Sequence, residues 1–508
     1  MNSLTMLFAV LVAWLSIGTF VAAEGSRPNV LYIFTDDQTT RSVSCYPDAY
    51  PWVKTPNIDA LAAQGVRFEN VYMAAYCVPS RVSFLTGNLP HAARGVFTGR
   101  ELDAARLTEE EQNHPFWPRR LRASGYRTGI IGKWHVNSRP PTVGMDWDTA
   151  IHWSSQSTPG GYYEDQHMRQ NGGPPTPLNG YSVDRHTDMA VDFINSSGLK
   201  SNGDGGKPWL LWLCYSSPHK PCVPAPRHRG LLKDVQEIPE PASISKREGQ
   251  PAYIATLPEI RRWDNVKGQI RAYQECVLAI DENVGRLMRE LNDAGQLENT
   301  VVIFASDQGI AYGQHGLVGK KDAPYDATLR GPLIFRWPGH FAENHVVHDS
   351  VNATDVVRTL HEITGLAPLP TMDGMSLVPV LENPDHKLGR DAMLLTNVQN
   401  NMGQSIPQMM KRTAAAVAAG EKGEAIMYDW TMIRSGDYKY VAYAGPDREE
   451  EIYDLKHDPD ELNNLAGDPE HKALLKELRK KAAVELRKTQ SGFDDGHFID
   501  FFPLLRRL

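Results

Sequence analysis

A mostly parallel α/β sheet flanked by helices, followed by a smaller α+β domain, is the fold class that this chain of 508 residues predicts. Three observations point there. Short apolar or β-branched runs alternate with helical patterns as far as Glu382-Asn383-Pro384. Beyond that point the pattern changes to strands joined by tight turns and then a charged helix. The length also exceeds what one small core organises. Apolar residues at 41% and charged residues at 22% are ordinary globular values, which excludes disordered and collagen-like classes.

The chain opens on an almost wholly apolar run, Leu4 to Val21, followed by small residues, Ala22-Ala23. Residues 1–23 are expected to be a signal peptide cut after Ala23, which makes the protein an exported one: periplasmic, extracellular or lumenal. The leader Met1-Asn2-Ser3 carries no Lys or Arg, so an uncleaved anchor helix is the alternative. No later run reaches about 18 uninterrupted apolar residues, so no stable membrane span is expected after cleavage.

Val30 to Phe34 reads as a buried strand. Thr55-Pro56 offers an N-cap and a first-turn proline to a helix with Ile58, Leu61 and Ala62 on one face. Arg127 to Ile131, Trp209 to Tyr215, Val301 to Ala305 and Leu333 to Phe335 read as further strands. Ile270, Tyr273, Val277, Ile280, Val284, Leu287 and Leu291 recur at steps of three and four, a long helix that Gly295 closes. Residues 24–383 therefore form the expected main domain and 384–508 the smaller one. In the latter, strands span Met427 to Ala442 around a Ser435-Gly436 turn, Asp468-Pro469 starts a helix running to Lys488, and Gln404 to Lys422 reads as an insertion.

Four polar clusters directly follow four of these strands: Asp36-Asp37, Gly132-Lys133-Trp134-His135, Ser217-Pro218-His219-Lys220 and Ser306-Asp307-Gln308-Gly309. Ligands of open α/β sheets bind beyond the carboxyl ends of the strands, so the four should share one pocket. Asp36, Asp37 and Asp307 would repel one another there unless a cation sat among them. Oxygen ligands, with the Gln308 amide as a fourth, suit a hard ion, Ca²⁺ or Mg²⁺. Lys133, His135, His219 and Lys320, with Arg81, could bind an anionic group and supply a general acid. The net charge of −8, from 61 acidic and 53 basic residues, argues against nucleic-acid binding but leaves room for such a local positive pocket.

Five cysteines occur, and an odd count in an exported chain suggests one specially used thiol. With Cys77 set aside, Cys45, Cys214, Cys222 and Cys276 remain. Cys214 and Cys222 flank a short loop and could pair; equally, several could be buried and reduced. The absence of Cys-x-x-Cys excludes a zinc ribbon. Asn195 and Asn352 stand in glycosylation sequons.

The segment Cys77-Val78-Pro79-Ser80-Arg81, continuing to Leu85-Thr86-Gly87, resembles the signature of the formylglycine-dependent sulfatases, of the alkaline phosphatase-like superfamily. The resemblance spans nearly the whole mature chain. Arg27 through Asp37, Thr55-Pro56-Asn57-Ile58-Asp59, Gly132-Lys133-Trp134-His135, Ser217-Pro218-His219, Ser306-Asp307-Gln308-Gly309 and Gly313-Gln314-His315-Gly316 with Gly319-Lys320 are similar to the family's successive motifs. Ile452-Tyr453-Asp454-Leu455 with Asp458-Pro459 resembles its C-terminal domain. Gln308 stands where Asn or His is commoner, and Tyr325-Asp326 replaces a frequent Tyr-Glu.

The resemblance implies that a maturation enzyme oxidises Cys77 to formylglycine. One hydroxyl of the hydrated aldehyde attacks sulfur, and the second allows sulfate to be expelled, which a plain Ser or Cys could not do. Asp36, Asp37, Asp307 and Gln308 would hold Ca²⁺, and Arg81 and Lys133 would steady the hydrate. His135 would act as base, and His219 and Lys320 would bind sulfate and assist the leaving oxygen. His315 and Lys321 are substrate-side candidates; which of the adjacent Lys320 and Lys321 touches sulfate is open. The substrate implied is a sulfate monoester, a small molecule or a glycan. The alternatives are a phosphomonoester or phosphodiester hydrolase built on the same residue 77, and a non-catalytic binder of sulfated glycans.

Overall fold

A computed structural model describes residues 27–93, 116–136, 147–154, 160–197, 206–398, 406–445, 449–489 and 498–508. The expected signal peptide lies outside the described residues. In chain order the strands are β1 (Asn29–Thr35), β2 (Val66–Tyr72), β3 (Arg127–Lys133), β4 (Thr149–Trp153), β5 (His167–Gln170), β6 (Pro175–Pro177), β7 (Trp209–Cys214), β8 (Thr300–Ser306), β9 (Ala311–Tyr312), β10 (Val318–Lys320), β11 (Leu333–Arg336) and β12 (His345–Asn352), then β13 (Met393–Asn397), β14 (Trp430–Ser435), β15 (Tyr438–Tyr443) and β16 (Glu450–Asp454).

A ten-stranded sheet runs β12-β2-β11-β8-β1-β7-β3-β4-β5-β6. Its five central strands, β8 to β4, are mutually parallel, and antiparallel neighbours occur only towards the edges. The mostly parallel α/β architecture read from the sequence is therefore the observed one. Of the central strands, β1, β7 and β8 are uniformly buried, as strands covered on both faces must be. Alternate residues of β1 divide between two apolar layers: Val30, Tyr32 and Phe34 face one, and Leu31 and Ile33 face the other. The long helix, Trp263–Asp293, buries all seven apolar positions of the periodic stripe, most of them against the second layer.

These two layers also decide the cysteine question. Cys45, Cys77, Cys214, Cys222 and Cys276 are all free. Cys214 belongs to the first layer, beside Trp212, whereas Cys222 packs against the second, with Cys276. The sheet itself separates Cys214 from Cys222, so of the two alternatives the free thiols are found and the pair is not.

The helix Pro56–Ala63 begins where expected, but Thr55 does not cap it through its side chain. The Thr55 hydroxyl instead donates to Asp59 at 3.1 Å. Asn352, by contrast, forms a full capping box with Asp355 at the start of the helix Ala353–Thr364, and its amide nitrogen donates to the Leu394 carbonyl at 3.2 Å. This sequon asparagine is thus buried in structural hydrogen bonds, whereas Asn195 is exposed. Asn352→Ala should destabilise the protein by about 1–2 kcal/mol, read from denaturant unfolding.

The second sheet is antiparallel, in the order β13-β14-β15-β16, with Gly436 at φ 55° in the β14–β15 turn. A short 3-10 turn, Pro469–His471, precedes the charged helix Lys472–Lys488, so that helix begins slightly later than its cap signal suggests. The stretch read as an insertion contains the helix Ile406–Ala418. The two sheets share a core: Tyr72 and Tyr325 pack in one cluster with Trp430, Tyr443 and Tyr453.

Candidate active site

The parallel order β8-β1-β7-β3 brings all four polar clusters to one end of the sheet. Backbone bonds lock their spacing. The Asp36 amide donates to the Ser217 carbonyl at 3.1 Å, and the Asp307 amide to the Thr35 carbonyl at 3.1 Å. Asp37 adopts φ 64°, a left-handed turn that points its amide at the Asp307 carboxylate, 2.9 Å away. Gly132 has φ 105°, and a Cβ there would lie 1.9 Å from the Cys214 carbonyl oxygen, so only glycine lets β3 approach β7 this closely.

Cys77 is the first residue of the helix Cys77–Thr86, every residue of which is buried. Its Sγ lies 3.1 Å from Asp36 Oδ1, 3.9 Å from Asp37 Oδ1, 3.7 Å from Lys133 Nζ, 3.4 Å from Gln308 Nε2 and 3.0 Å from Lys321 Nζ. A helix N-terminus adds unsatisfied N–H groups and a partial positive charge where an oxyanion would develop. Arg81, one turn further along the same face, donates to the Lys133 carbonyl at 2.8 Å and pairs with Asp307 at 3.3 Å. Burial, reinforced by Asp307 and Asp36, pushes the Cys77 thiol well above its ordinary range. The unmodified residue is therefore a neutral thiol, a weak nucleophile.

The three carboxylates are fully buried. Burial opposes the charge of Asp36, but Lys133, with which it forms an ion pair, and then His219, Lys321 and Arg81 hold it well below the usual carboxylate range. Asp307 is pushed up to about 8 by burial and by Asp36, partly countered by Arg81. Three carboxylates so placed do not all ionise comfortably without a cation among them. Asp36, Asp37, Cys77 and His219 each offer a ligand atom within 4.8 Å of one another. The Gln308 amide nitrogen faces Asp37, and its Oε1 is buried with no hydrogen-bond partner. Turning the amide presents that oxygen to the carboxylates. The donor set is thus predominantly oxygen, which fits Ca²⁺ or Mg²⁺.

The cations divide into those at the nucleophile and one elsewhere. Lys321 Nζ lies 2.8 and 3.1 Å from the two Asp37 carboxylate oxygens. The sequence favoured Lys320, which sits at the end of β10 paired with Ala311. The structure instead puts the following residue, Lys321, against residue 77. His219 Nε2 is 3.6 Å from Asp37. His135 follows β3 at φ 47°. Burial, and next Lys133, pushes it down to about 2, so it is a neutral imidazole.

His315, expected on the substrate side, is stacked on Tyr325 with ring centroids 3.7 Å apart. Its charged neighbours are Lys439, Arg247 and Arg41, and it lines a separate cavity of about 220 Å³ beside Asp460 and Glu461. The structure therefore places it beside Tyr325 and in a cavity lined by Arg41, Asp48, Asp326 and Arg330, with Lys439 of β15 among its charged neighbours. Sequence reasoning also missed Tyr162 and Tyr163, which surround His219; isolated aromatics in a loop carry no periodic or motif signal.

Residues 28–366 match the family described as Sulfatase, and residues 422–489 match the N-sulphoglucosamine sulphohydrolase C-terminal family. An N-acetylglucosamine-6-O-sulfatase of Bacteroides thetaiotaomicron is 29% identical, over 93% of this chain and 88% of its own. Human arylsulfatase A is 30% identical, over 71% of this chain and 68% of its own. A solved structure of a protein in complex with its substrate, D-glucosamine-2-N,6-O-disulfate, superposes with a TM-score of 0.74 at 26% identity, covering 92% of this chain and all of the other. With the family matched across the sheet that assembles these carboxylates and cations, the chain belongs to the sulfatases, the sulfuric ester hydrolases of the alkaline phosphatase-like superfamily.

Proposed function

We propose that the protein hydrolyses sulfate monoesters of a carbohydrate, with residue 77 working as formylglycine beside a bound Ca²⁺. The observation that carries the reading is the environment of Cys77: a helix N-terminus with Asp36, Lys133, Gln308 and Lys321 all in contact with its Sγ. An aldehyde hydrate at that position offers two hydroxyls, one to attack sulfur and one whose deprotonation releases sulfate. Asp36, Asp37, Asp307 and Gln308 would hold the cation, which would supply charge neutralisation and Lewis acidity. Mg²⁺ is the lesser candidate, being smaller and stricter in geometry.

The chain's own residues do the rest. Arg81 and Lys133 hold the residue-77 hydroxyls through charged donors. Lys321 and His219 bind the sulfate oxygens, and His219 assists the leaving alcohol. His135, neutral and with Nδ1 lacking a partner, takes the proton of the second hydroxyl. Three fixed cations, Arg81, Lys133 and Lys321, balance three carboxylates, so a divalent ion leaves the pocket net positive and suited to an anionic ester. Residues 24–383 would form the catalytic domain and 384–508 the smaller one. Residues 1–23 would direct export, with a formylglycine-generating enzyme acting on Cys77 on the way.

The names of the similar proteins make glucosamine 6-sulfate the first substrate to try. Against a panel of sulfated mono- and oligosaccharides, aryl sulfate and aryl phosphate, sulfate esters should be the better substrates by about 100-fold or more in kcat/KM. Faster hydrolysis of the phosphate ester, with every sulfate ester inert, would favour the phosphohydrolase reading.

A further inference from the structure

We infer that Tyr162 is a positioning residue for the reaction, holding the His219 imidazole flat and aimed at the nucleophile. Its ring and that of His219 are stacked with centroids 4.2 Å apart and planes only 2° from parallel. On its other contacts, Tyr162 meets the buried Trp153 edge-on, centroids 4.8 Å apart, and lies 5.3 Å from Lys133 Nζ. One aromatic ring therefore lies against two of the groups proposed to act on the ester, from two different strand ends.

The tyrosine is itself fixed to the sheet. Its carbonyl oxygen accepts from Gln166 Nε2 at 2.9 Å, Ser182 Oγ at 3.0 Å and Ser216 Oγ. Ser216 stands just past β7, three residues before His219, so the stacking partner and the histidine are anchored to the same strand end. The next residue repeats the attachment: Tyr163 Oη donates to the His219 carbonyl at 2.6 Å. His219 Nδ1 faces the Lys220 carbonyl, which puts the Nδ1 proton there and leaves Nε2 towards Asp37. Stacking fixes the ring plane, the Nδ1 bond fixes its rotation, and the Tyr163 bond fixes its backbone. A histidine on a loop would otherwise lose part of its catalytic effect to misorientation.

This placement rests on the role proposed for His219, and the test separates the two. Tyr162→Phe, Tyr162→Leu and the pair His219→Ala with Tyr162→Leu are purified from cells that mature the enzyme and assayed on an aryl sulfate. Tyr162→Leu should lower kcat by about 10–100-fold with KM changed less than about 3-fold, because orientation and not binding is lost. Tyr162→Phe, which keeps the stacking face, should stay within about 3-fold of native. In the His219→Ala background, Tyr162→Leu should cost no more than about 2-fold further, since the group it orients is gone. Where the leucine variant does not fold, Tyr162→Met, which fills similar space without a flat face, takes its place. Native kcat in the leucine or methionine variant, a loss in KM alone, an equal loss in Tyr162→Phe, or a full additional loss in the His219→Ala background would each overturn the inference. Turnover by the native enzyme in the same assay tests the proposed function on its own.

Discussion

Cys77→Ala should fold normally and lose sulfate-ester turnover by about 10⁴-fold or more, the scale on which removal of a covalent nucleophile acts. Residue 77 is the first residue of a buried helix, where alanine is well tolerated, and the change removes one sulfur atom from the core. Stability should therefore change by no more than about 1–2 kcal/mol, measurable by thermal unfolding. Cys77→Ser is the sharper variant. A serine hydroxyl would enjoy the same helix N-terminus and the same Lys133 and Lys321 contacts, so it can accept the sulfuryl group once. It has no second hydroxyl with which to release it. Single-turnover assays should show at most one equivalent of alcohol freed per enzyme, with no steady state. Sustained turnover by the serine variant would remove the need for a geminal diol.

Asp307→Asn should lower kcat by about 10²-fold or more and weaken divalent-cation binding, while leaving the fold in place. The asparagine keeps an oxygen for the Asp37 amide, which Asp307 Oδ1 now accepts at 2.9 Å, and replaces the oxygen that Arg81 pairs with at 3.3 Å by an amide nitrogen, so both the charge and that acceptor are lost. Alanine would be the poorer test, because it also removes the acceptor of the Asp37 amide. Two readouts are independent of activity. Titration calorimetry should show Ca²⁺ binding to the native protein and weaker binding to Asp307→Asn. At free Ca²⁺ near 100 times Kd, the native protein should also gain about 2.7 kcal/mol of stability over its chelated form. Full activity after exhaustive chelation would contradict the role given to the carboxylates.

Much of the site was legible because its residues follow strands. β1, β3, β7 and β8 are apolar runs that end in polar clusters, and parallel strands must deliver those ends to one place. Asp36, Asp37, Lys133, His135, His219, Asp307 and Gln308 are of this kind. Lys321 and His315 were harder, because their segment lies on neither a helix nor a central strand. Gly313 and His315 both have positive φ, so the chain there turns in ways that no period describes, and that path brings Lys321 against Cys77 Sγ. Of the two readings left open for Cys214 and Cys222, free thiols and not a pair are found, for a related reason. Eight residues of sequence are enough to carry the chain from one face of the sheet to the other, and closeness along the chain says nothing about which face a thiol meets. Tyr162 acts through stacking, a relation between rings that only the folded chain defines.

The central claim is that residue 77 works as formylglycine, and mass spectrometry of the tryptic peptide containing residue 77, taken from enzyme of measured specific activity, tests it most directly. The account predicts that the Cys77 side chain has lost its sulfur and gained a carbonyl oxygen, that the aldehyde reacts with a hydrazine probe, and that specific activity rises in proportion to the converted fraction. Fully active enzyme in which Cys77 remains an intact thiol would contradict it.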